Sequence, residues 1–473
     1  MIRGRVRIRF AALLLALLAG SALAEGVTLP ASHRFELDNG TVLLLSQEPE
    51  VPLVSVTAIL RGGAVVDPAD HGGLANLFAA LLEKGAGERD AAQFAEAVDA
   101  TGGTLSSRAD LETITISGTF LARDAGLMVE LLADMLLRPG LEEAELEKLR
   151  ERSINFIRAA KDTNLNALLP IYGQAFLFGE HPYGNPVSGS ETTLAGISHD
   201  DILGFYEQQL GGDRLIIAVS GDFDVALMSA RLSDAFGDWR PASSALPEVV
   251  AVGQQAGRRV LLIDKPGATQ TYFWLGNVGV ARDYEKRAAL DIANTVFGGR
   301  FTSMLNTELR VNSGLTYGAR SLLSRASQPG SIAISSFTPT ESTVEAIDMA
   351  LGVLGRLHED GVDKTMLESA RNYILGQFPT ALETAAQVGS QLAALAAFGL
   401  DVSYINDYGA ALMSAETDMV AAVIDEVFPS ADDLVFVLLG DAELIREKVS
   451  KYGPLTEMPI TEPHFRPQAP AEE

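Results

Sequence analysis

The sequence contains no cysteine among its 473 residues. Disulfide bonds are therefore excluded, as are the zinc and iron–sulfur sites that depend on thiolate ligands. Basic residues are also scarce, since 36 Lys and Arg stand against 62 Asp and Glu and give a formal net charge of -26. Nucleic-acid binding needs a basic surface that replaces counterions, so this charge argues against a nucleic-acid partner. The motifs of a P-loop nucleotide site and of a nucleophilic serine elbow are absent as well.

Residues 1–24 have the pattern of a secretory signal peptide. Four arginines alternate between Arg3 and Arg9, an apolar run follows from Ala11 to Leu18, and a small-x-small pattern ends at Ala24. An uncleaved membrane anchor is the alternative, but the apolar run is short for a spanning helix. No later stretch reaches the length of a spanning segment. We therefore expect a periplasmic protein whose mature chain does not insert into a membrane.

Two related domains are predicted after the signal peptide. The stretch Pro241–Gly257 is rich in Pro, Ala, Ser, Gly and Gln, which is typical of a linker. Strand-like and helix-like segments follow one another in the same order in both halves, and the motif Leu-Glu-x-x-Arg at Leu146 recurs at Leu367. The pattern predicts an α+β fold with two homologous domains, each an antiparallel sheet with helices packed on one face. The predicted bounds are 25–240 for the first domain, 241–258 for the linker, 259–460 for the second domain and 461–473 for an irregular tail.

The segment from Gly72 to Gly85 resembles the zinc helix of the pitrilysin/insulinase/mitochondrial-processing-peptidase family. That family carries the inverted zinc motif Gly-Leu-Ala-His-x-x-Glu-His, whereas this chain has Asn76, Ala79 and Ala80 at the three chemical positions. The family's remaining glutamate ligand lies farther along the chain, and the matching segment here, Asn155–Arg158, has no carboxylate. Alanine can neither bind a metal nor accept a proton, and a catalytic zinc needs three protein ligands. The apolar stripe of the segment by itself describes any amphipathic core helix.

A second segment, Gly298–Ser321, carries a more specific resemblance to the same family. It has a Gly-Gly turn, a helix that ends in Leu-Arg, and then Gly-Leu-x-Tyr. In the family, the arginine and tyrosine of this pattern face the zinc helix across a closed chamber and hold the substrate backbone. The resemblance assigns these substrate-binding roles to Arg310 and Tyr317. The alternative is structural, with Arg310 in a surface ion pair and Tyr317 in the core.

The resemblance implies a non-catalytic, substrate-positioning subunit of a heteromeric periplasmic zinc peptidase that acts on unfolded peptides. The chain would form half of a clamshell chamber. The expected partner is a homologous peptidase subunit that carries the zinc, and no cofactor is expected in this chain. The alternative is a peptide-binding or scaffold protein of the same fold without a peptidase role.

The purified mature chain is expected to bind no stoichiometric zinc, because both histidine positions and both glutamate positions of the family motif have been lost. Elemental analysis of protein prepared without a metal-binding tag tests this prediction. One zinc per chain that only a strong chelator removes would contradict it.

Overall fold

The computed structural model describes residues 27–467. The first half contains a six-stranded sheet with the strand order β1-β2-β8-β3-β7-β6, and β4 and β5 form a separate short ribbon. The strands are β1 (His33–Glu36), β2 (Val42–Gln47), β3 (Leu53–Arg61), β4 (Gly85–Ala86), β5 (Arg89–Asp90), β6 (Thr104–Ala109), β7 (Thr113–Leu121) and β8 (Leu215–Gly221). Strand β6 lies at one edge of the main sheet, so its outer backbone groups have no neighbouring strand.

Between residues 27 and 240 the structure has eight α-helices. They are α1 (Leu74–Leu81), α2 (Ala91–Asp99), α3 (Ala125–Leu137), α4 (Glu143–Thr163), α5 (Leu165–Phe178), α6 (Glu191–Gly196), α7 (His199–Gln209) and α8 (Val225–Phe236). Side-chain caps begin several of them. Asp90 accepts a hydrogen bond from the Gln93 N–H at 2.9 Å, and the Gln93 side chain accepts one from the Asp90 N–H, which together form a capping box.

The second half repeats the arrangement with the strand order β11-β12-β10-β13-β9-β14. Its strands are β9 (Arg259–Asp264), β10 (Gln270–Val278), β11 (Ala319–Leu323), β12 (Ser331–Pro339), β13 (Val435–Gly440) and β14 (Leu455–Pro459). Its helices are α9 (Arg287–Asn294), α10 (Met304–Asn306), α11 (Thr343–Asp360), α12 (Lys364–Gln377), α13 (Ala385–Ala397), α14 (Ser403–Asn406), α15 (Tyr408–Ser414), α16 (Thr417–Val427) and α17 (Ala442–Val449).

Equivalent contacts in the two halves reveal the duplication. The arginine of the repeated motif caps a helix end in both places: Arg150 donates to the Ile197 carbonyl after α6, and Arg371 donates to the Ala415 carbonyl after α15. The accepting residues are 218 positions apart, and so are the first residues of β7 and β12, Thr113 and Ser331. The predicted α+β class with two homologous domains is confirmed.

Two details of the predicted sheets are wrong. The sheets are mixed rather than antiparallel, because β2 pairs in parallel with β8, and β9 pairs in parallel with β13 and β14. Helices also cover both faces of each sheet, not one. Strand β13 shows the reason in its sequence, since Val-Phe-Val-Leu-Leu-Gly is apolar at every position before the glycine and every residue is buried.

The second face of each sheet is covered by a helix from the other half of the chain. Helix α5 packs on β10 and β13 of the second sheet, and helix α13 packs on β3 and β8 of the first. Gly173 of α5 lies so close to the Trp274 ring that a Cβ would come within 2.7 Å of it. On the other side, Val388 and Leu392 of α13 share a buried cluster with Ile59. Neither sheet therefore has a complete core without the opposite half.

The end of the described chain is fixed against the first half. Phe465 is 2% exposed and meets the Tyr172 ring edge-on, with 5.0 Å between centroids. The buried Lys161 ammonium donates to the Glu191 carboxylate at 2.7 Å and to the Glu462 carbonyl at 2.5 Å. Residues 461–467 have no helix or strand but are anchored by these contacts. Residues 468–473, like the predicted signal peptide at 1–24, lie outside the described residues.

The stretch 241–258 has no regular secondary structure and is bonded to both halves, to the second through Gln254 and the Val427 carbonyl. Its backbone accepts hydrogen bonds from Arg214, at Ser244, and from the His181 ring, at Val250, the latter at 2.9 Å. Its Gln255 side chain donates to the Leu177 carbonyl at 2.7 Å. The segment is therefore attached at several points along its length, and the domain bounds proposed on either side of it stay predictions.

Because α5 lies closer to its sheet than α13 does to the other, alanine substitutions at Gly173 and Gly389 should change the free energy of unfolding by different amounts. Gly173→Ala is expected to lower the free energy of unfolding by about 1–3 kcal/mol, because the added methyl group overpacks against Trp274. At Gly389 of α13, the nearest atom to an added Cβ is the Ser220 hydroxyl at 3.2 Å, so Gly389→Ala is expected to cost less. Urea unfolding followed by circular dichroism measures both.

The exposed Gly352 on α11 is the control, since no atom lies within 4 Å of an added Cβ. Gly352→Ala should stabilise the protein by about 0.5–1 kcal/mol through helix propensity. Equal effects of the Gly173 and Gly389 substitutions would contradict the packing that the structure shows.

Candidate functional site

Helix α1 begins at a buried carboxylate. Asp67 accepts hydrogen bonds from the backbone N–H groups of Gly73 and Ala75, both at 2.9 Å, and so satisfies donors that the first turn of a helix leaves free. Gly73 has a positive φ of 98°, and a Cβ there would come within 2.9 Å of the Gly189 backbone. Burial raises the pKa of the Asp67 carboxyl to about 7, although the two amides favour its charged form.

At the positions where the family has metal-binding residues, helix α1 makes packing contacts and a backbone hydrogen bond. Ala79 is fully buried, and its carbonyl oxygen accepts a hydrogen bond from the Ser107 hydroxyl on β6. The Ser107 N–H donates to the Glu83 carboxylate at 2.6 Å, which ties the end of the helix to the same strand. Asn76 and Ala80 are partly buried. These residues do not fit a zinc ion, and within residues 27–467 no group of three or more His, Asp or Glu side chains is placed to hold a metal.

The segment Asn155–Arg158 lies on α4 and makes other contacts. The Arg158 guanidinium donates to the Glu191 carboxylate at 2.6 Å, in the same cluster as Lys161. Phe156 is 71% exposed. The position at which the family places its glutamate ligand therefore presents an exposed aromatic residue and a cation, and no carboxylate from it reaches α1.

A cavity of about 430 Å³ lies beside α1, between the two halves of the chain. Its wall includes Asn76 from α1, Ile171 and Gln174 from α5, and Ala326 from the turn between β11 and β12. Most of the remaining wall is apolar or comes from the loop 183–188. Such a volume accommodates a large apolar side chain of a bound peptide.

Hydrogen bonds between the halves close one side of this cavity. The Tyr183 hydroxyl donates to the Glu112 carboxylate at 2.6 Å and accepts from the Gln328 N–H at 3.0 Å. Glu112 also accepts from the Ser327 N–H at 2.9 Å. Burial and the neighbouring Glu112 raise the pKa of Tyr183. The sequence does not identify Glu112, because an isolated Glu in a turn has no motif that marks it.

A turn of the backbone places Arg310 and Tyr317 near each other in one folded segment. Arg310 lies in the π-helical stretch Thr307–Asn312, a conformation found often at functional sites. The chain then turns at Gly314, whose φ is +68°, and the N–H groups of Leu315 and Thr316 both donate to the Leu309 carbonyl. Arg310 directly follows Leu309, and Tyr317 directly follows Thr316, so the hydrogen bond between Leu309 and Thr316 brings the pair together.

Both side chains are exposed, and neither takes the structural role that was the alternative. Tyr317 is 79% exposed and is therefore not a core residue. Among residues 27–467 no carboxylate lies within 4 Å of the Arg310 guanidinium, and no hydrogen bond to its side chain is formed. The guanidinium lies 4.9 Å from the centre of the Phe301 ring.

The structure does not bring this pair to the helix α1 of the same chain. Neither residue lines the cavity that contains Asn76, and no hydrogen bond or ion pair between described residues joins them to α1. The substrate-binding roles of Arg310 and Tyr317 stay predictions.

Among residues 27–467, no helix combines the length and the hydropathy that crossing a bilayer requires.

Family models match both halves of the chain. The model described as Insulinase (Peptidase family M16) matches residues 42–191, and the one described as Peptidase M16 inactive domain matches residues 196–374. A protein of Mycobacterium leprae named as an uncharacterized zinc protease is 28% identical over 74% of this chain and 79% of its own length. A protein of Helicobacter pylori named non-peptidase homolog YmxG is 23% identical over 74% of this chain and 80% of its own length.

Solved structures share the fold. A peptidase M16 inactive domain from Pseudomonas fluorescens superposes with a TM-score of 0.80 at 21% identity, covering 87% of this chain and 98% of that one. The periplasmic protease PqqL from Escherichia coli gives a TM-score of 0.72 at 13% identity, covering 87% of this chain and 46% of that one. These similarities agree with two α+β domains arranged as in a clamshell.

The raised pKa of Asp67 predicts a pH-dependent stability. Its folded-state pKa of about 7 exceeds the ordinary value of 3.8, so the folded protein binds this proton more tightly. The stability that this proton contributes is complete below about pH 4 and is lost as the pH rises through 7, by about 1.4 kcal/mol for each unit of pKa difference. Asp67→Asn removes the titration. Urea unfolding at several pH values should therefore show the wild type losing stability relative to this variant between pH 4 and 7.

Asp67→Ala tests the second role of Asp67, which is to accept hydrogen bonds at the start of helix α1. It should lower the free energy of unfolding by about 0.5–2 kcal/mol, because the Gly73 and Ala75 amides lose their acceptor. Parallel pH curves for the wild type and the asparagine variant would show that Asp67 does not titrate in this range.

Proposed function

Because the chain belongs to the insulinase (M16) family of peptidases, we propose that it is a non-catalytic, substrate-positioning subunit of a heteromeric periplasmic zinc peptidase acting on unfolded peptides. The observation that carries the proposal is a contrast between two sites. The helix α1 has alanine where the chemistry needs a base and a ligand, whereas Arg310 and Tyr317 are kept and exposed. A protein with only a scaffold role has no use for such a pair.

The surroundings of α1 offer binding groups for an extended peptide. Strand β6 is an edge strand next to α1, and a peptide can add to it as a further strand, although its Ser107 N–H already donates to Glu83. The cavity beside Asn76 then takes one apolar side chain. An extended peptide satisfies both, and a folded protein does not, which supports unfolded peptides as the substrate class.

The proposed partner is a homologous subunit that holds the zinc. The chain is similar both to a relative named as an uncharacterized zinc protease and to one named as a non-peptidase homolog, which supports a family with chains of both kinds. In this assembly, Arg310 acts in trans. Its planar fork of N–H donors suits a carbonyl or carboxylate oxygen of the peptide. The Tyr317 hydroxyl donates a hydrogen bond to the oxyanion that forms at the cleaved bond.

Reconstitution with a homologous chain that carries an intact His-x-x-Glu-His tests the proposal. The mixture should cleave an internally quenched peptide that neither chain cleaves alone. Tyr317→Phe should lower kcat by about 10²–10³-fold while assembly is kept, because one oxyanion donor is lost. Arg310→Ala should also raise KM, and Arg310→Lys should restore little because a point charge does not replace the fork.

Tyr373→Phe and Arg320→Ala are matched controls at exposed positions of the same half, and both should retain full activity. Size-exclusion chromatography confirms that every variant assembles. Assembled Arg310 and Tyr317 variants that cleave at the wild-type rate would show that the pair does not position the substrate. A mixture that assembles but does not cleave the peptide would favour the second candidate, a peptide-binding or scaffold protein without a peptidase role.

A further inference from the structure

An exposed aromatic residue lies beside Arg310. Phe301 is 62% exposed, and its ring centre is 4.9 Å from the guanidinium carbon of Arg310. Val311 and Tyr317, on either side of the same turn, are 60% and 79% exposed. The segment that carries this cation therefore has three exposed apolar or aromatic side chains, of which Phe301 contacts the guanidinium. Patches of this composition mark binding sites more often than scattered single residues do.

The Phe301 ring is the contact that orients Arg310. Within the described part of the chain, the guanidinium has neither an ion pair nor a hydrogen bond. Arg287 shows what a structural arginine looks like in this protein: it is stacked on Tyr404 at 3.4 Å and Tyr408 at 4.3 Å, and it also donates to the Tyr404 carbonyl. Arg310 has only the ring, so its N–H donors are oriented and still available.

The backbone that carries Phe301 is held by a buried amide. Asn306 is 4% exposed and donates to the Phe301 carbonyl at 2.6 Å. Its side-chain oxygen accepts from the Ala319 N–H at 3.4 Å, two residues after Tyr317. One carboxamide thus connects the backbone that carries Phe301 to the backbone that carries Tyr317. These hydrogen bonds fix the backbone on both sides of the surface, and a fixed backbone lowers the entropic cost of binding.

Resting on the function proposed above, we propose that Phe301 is a specificity-determining residue of the Arg310–Tyr317 surface. Its ring orients the Arg310 guanidinium toward the peptide backbone. The free face of the ring then contacts the peptide side chain next to that backbone segment. The surface consequently prefers peptides with an aromatic or large aliphatic residue at this position over peptides with a small polar one.

The ring contact is tested without any peptide. The side-chain Nε–Hε resonance of Arg310, assigned by its absence in Arg310→Lys, should be shifted by the ring current of Phe301. Phe301→Leu should remove this shift, and Phe301→Trp should retain one. Phe35→Leu, at an exposed phenylalanine of β1, is the control and should leave the resonance unchanged. An Arg310 resonance that is the same in the wild type and in Phe301→Leu overturns the proposal.

The specificity is tested with two fluorescein-labelled dodecapeptides of Gly, Ser, Asn and Thr. One has a central Phe and the other a central Ser, and fluorescence anisotropy measures their binding to the full chain. The wild type should bind the Phe peptide more tightly. Phe301→Leu should weaken that binding about two- to fivefold through the loss of the cation–π contact, Phe301→Trp should restore it, and Phe301→Ala should reduce the preference for Phe over Ser.

The two proposals fail in different ways. If Arg310→Ala weakens binding of both peptides but Phe301→Ala keeps the full preference for Phe, the specificity role is wrong and the proposed function stands. If neither peptide binds the wild type, or if Arg310→Ala binds both peptides like the wild type, the substrate-positioning role fails, and the specificity role fails with it.

Discussion

The exchange of helices between the two halves is the constraint on which the rest of the structure depends. Helix α5 of the first half fills one face of the second sheet, and α13 of the second half fills one face of the first. Both faces of each sheet are apolar, so each half would expose a large hydrophobic surface without the other. The two domains therefore form one body, and the C-terminal residues up to Phe465 reinforce it from the same side as α5.

The packing of the two halves against each other shapes the cavity beside Asn76. Since α5 crosses to the second sheet, the cavity beside Asn76 has walls from both halves, and the Tyr183–Glu112 hydrogen bonds close it against the turn between β11 and β12. Helix α1 has alanine at positions 79 and 80, and it is bonded to β6 through the hydrogen bond from the Ser107 hydroxyl to the Ala79 carbonyl.

The second half of this acidic protein exposes a cation, Arg310, that has no carboxylate partner among the described residues. The chain has a net charge of -26 and pairs many of its arginines with carboxylates, yet Arg310 rests on an aromatic ring. A guanidinium without a carboxylate partner keeps its donors for an external acceptor. The degenerate helix and this surface lie apart in one chain, which is why the proposed function requires a second subunit.

The sequence alone determined the local features. Alternating strands, the amphipathic helix at α1 and the duplication follow from residue types at fixed spacing, a periodicity that local geometry imposes. The missing metal ligands and the Arg310–Tyr317 pair were assigned from the resemblance of two sequence motifs to those of the family. Only the tertiary structure decided the helix exchange, the parallel pairings, the Glu112–Tyr183 contact and the stacking of Phe301 on Arg310. Periodicity shows that a face of α5 is buried but not which sheet buries it. Contacts between residues far apart in the chain depend on how the two halves pack, and no local pattern records that.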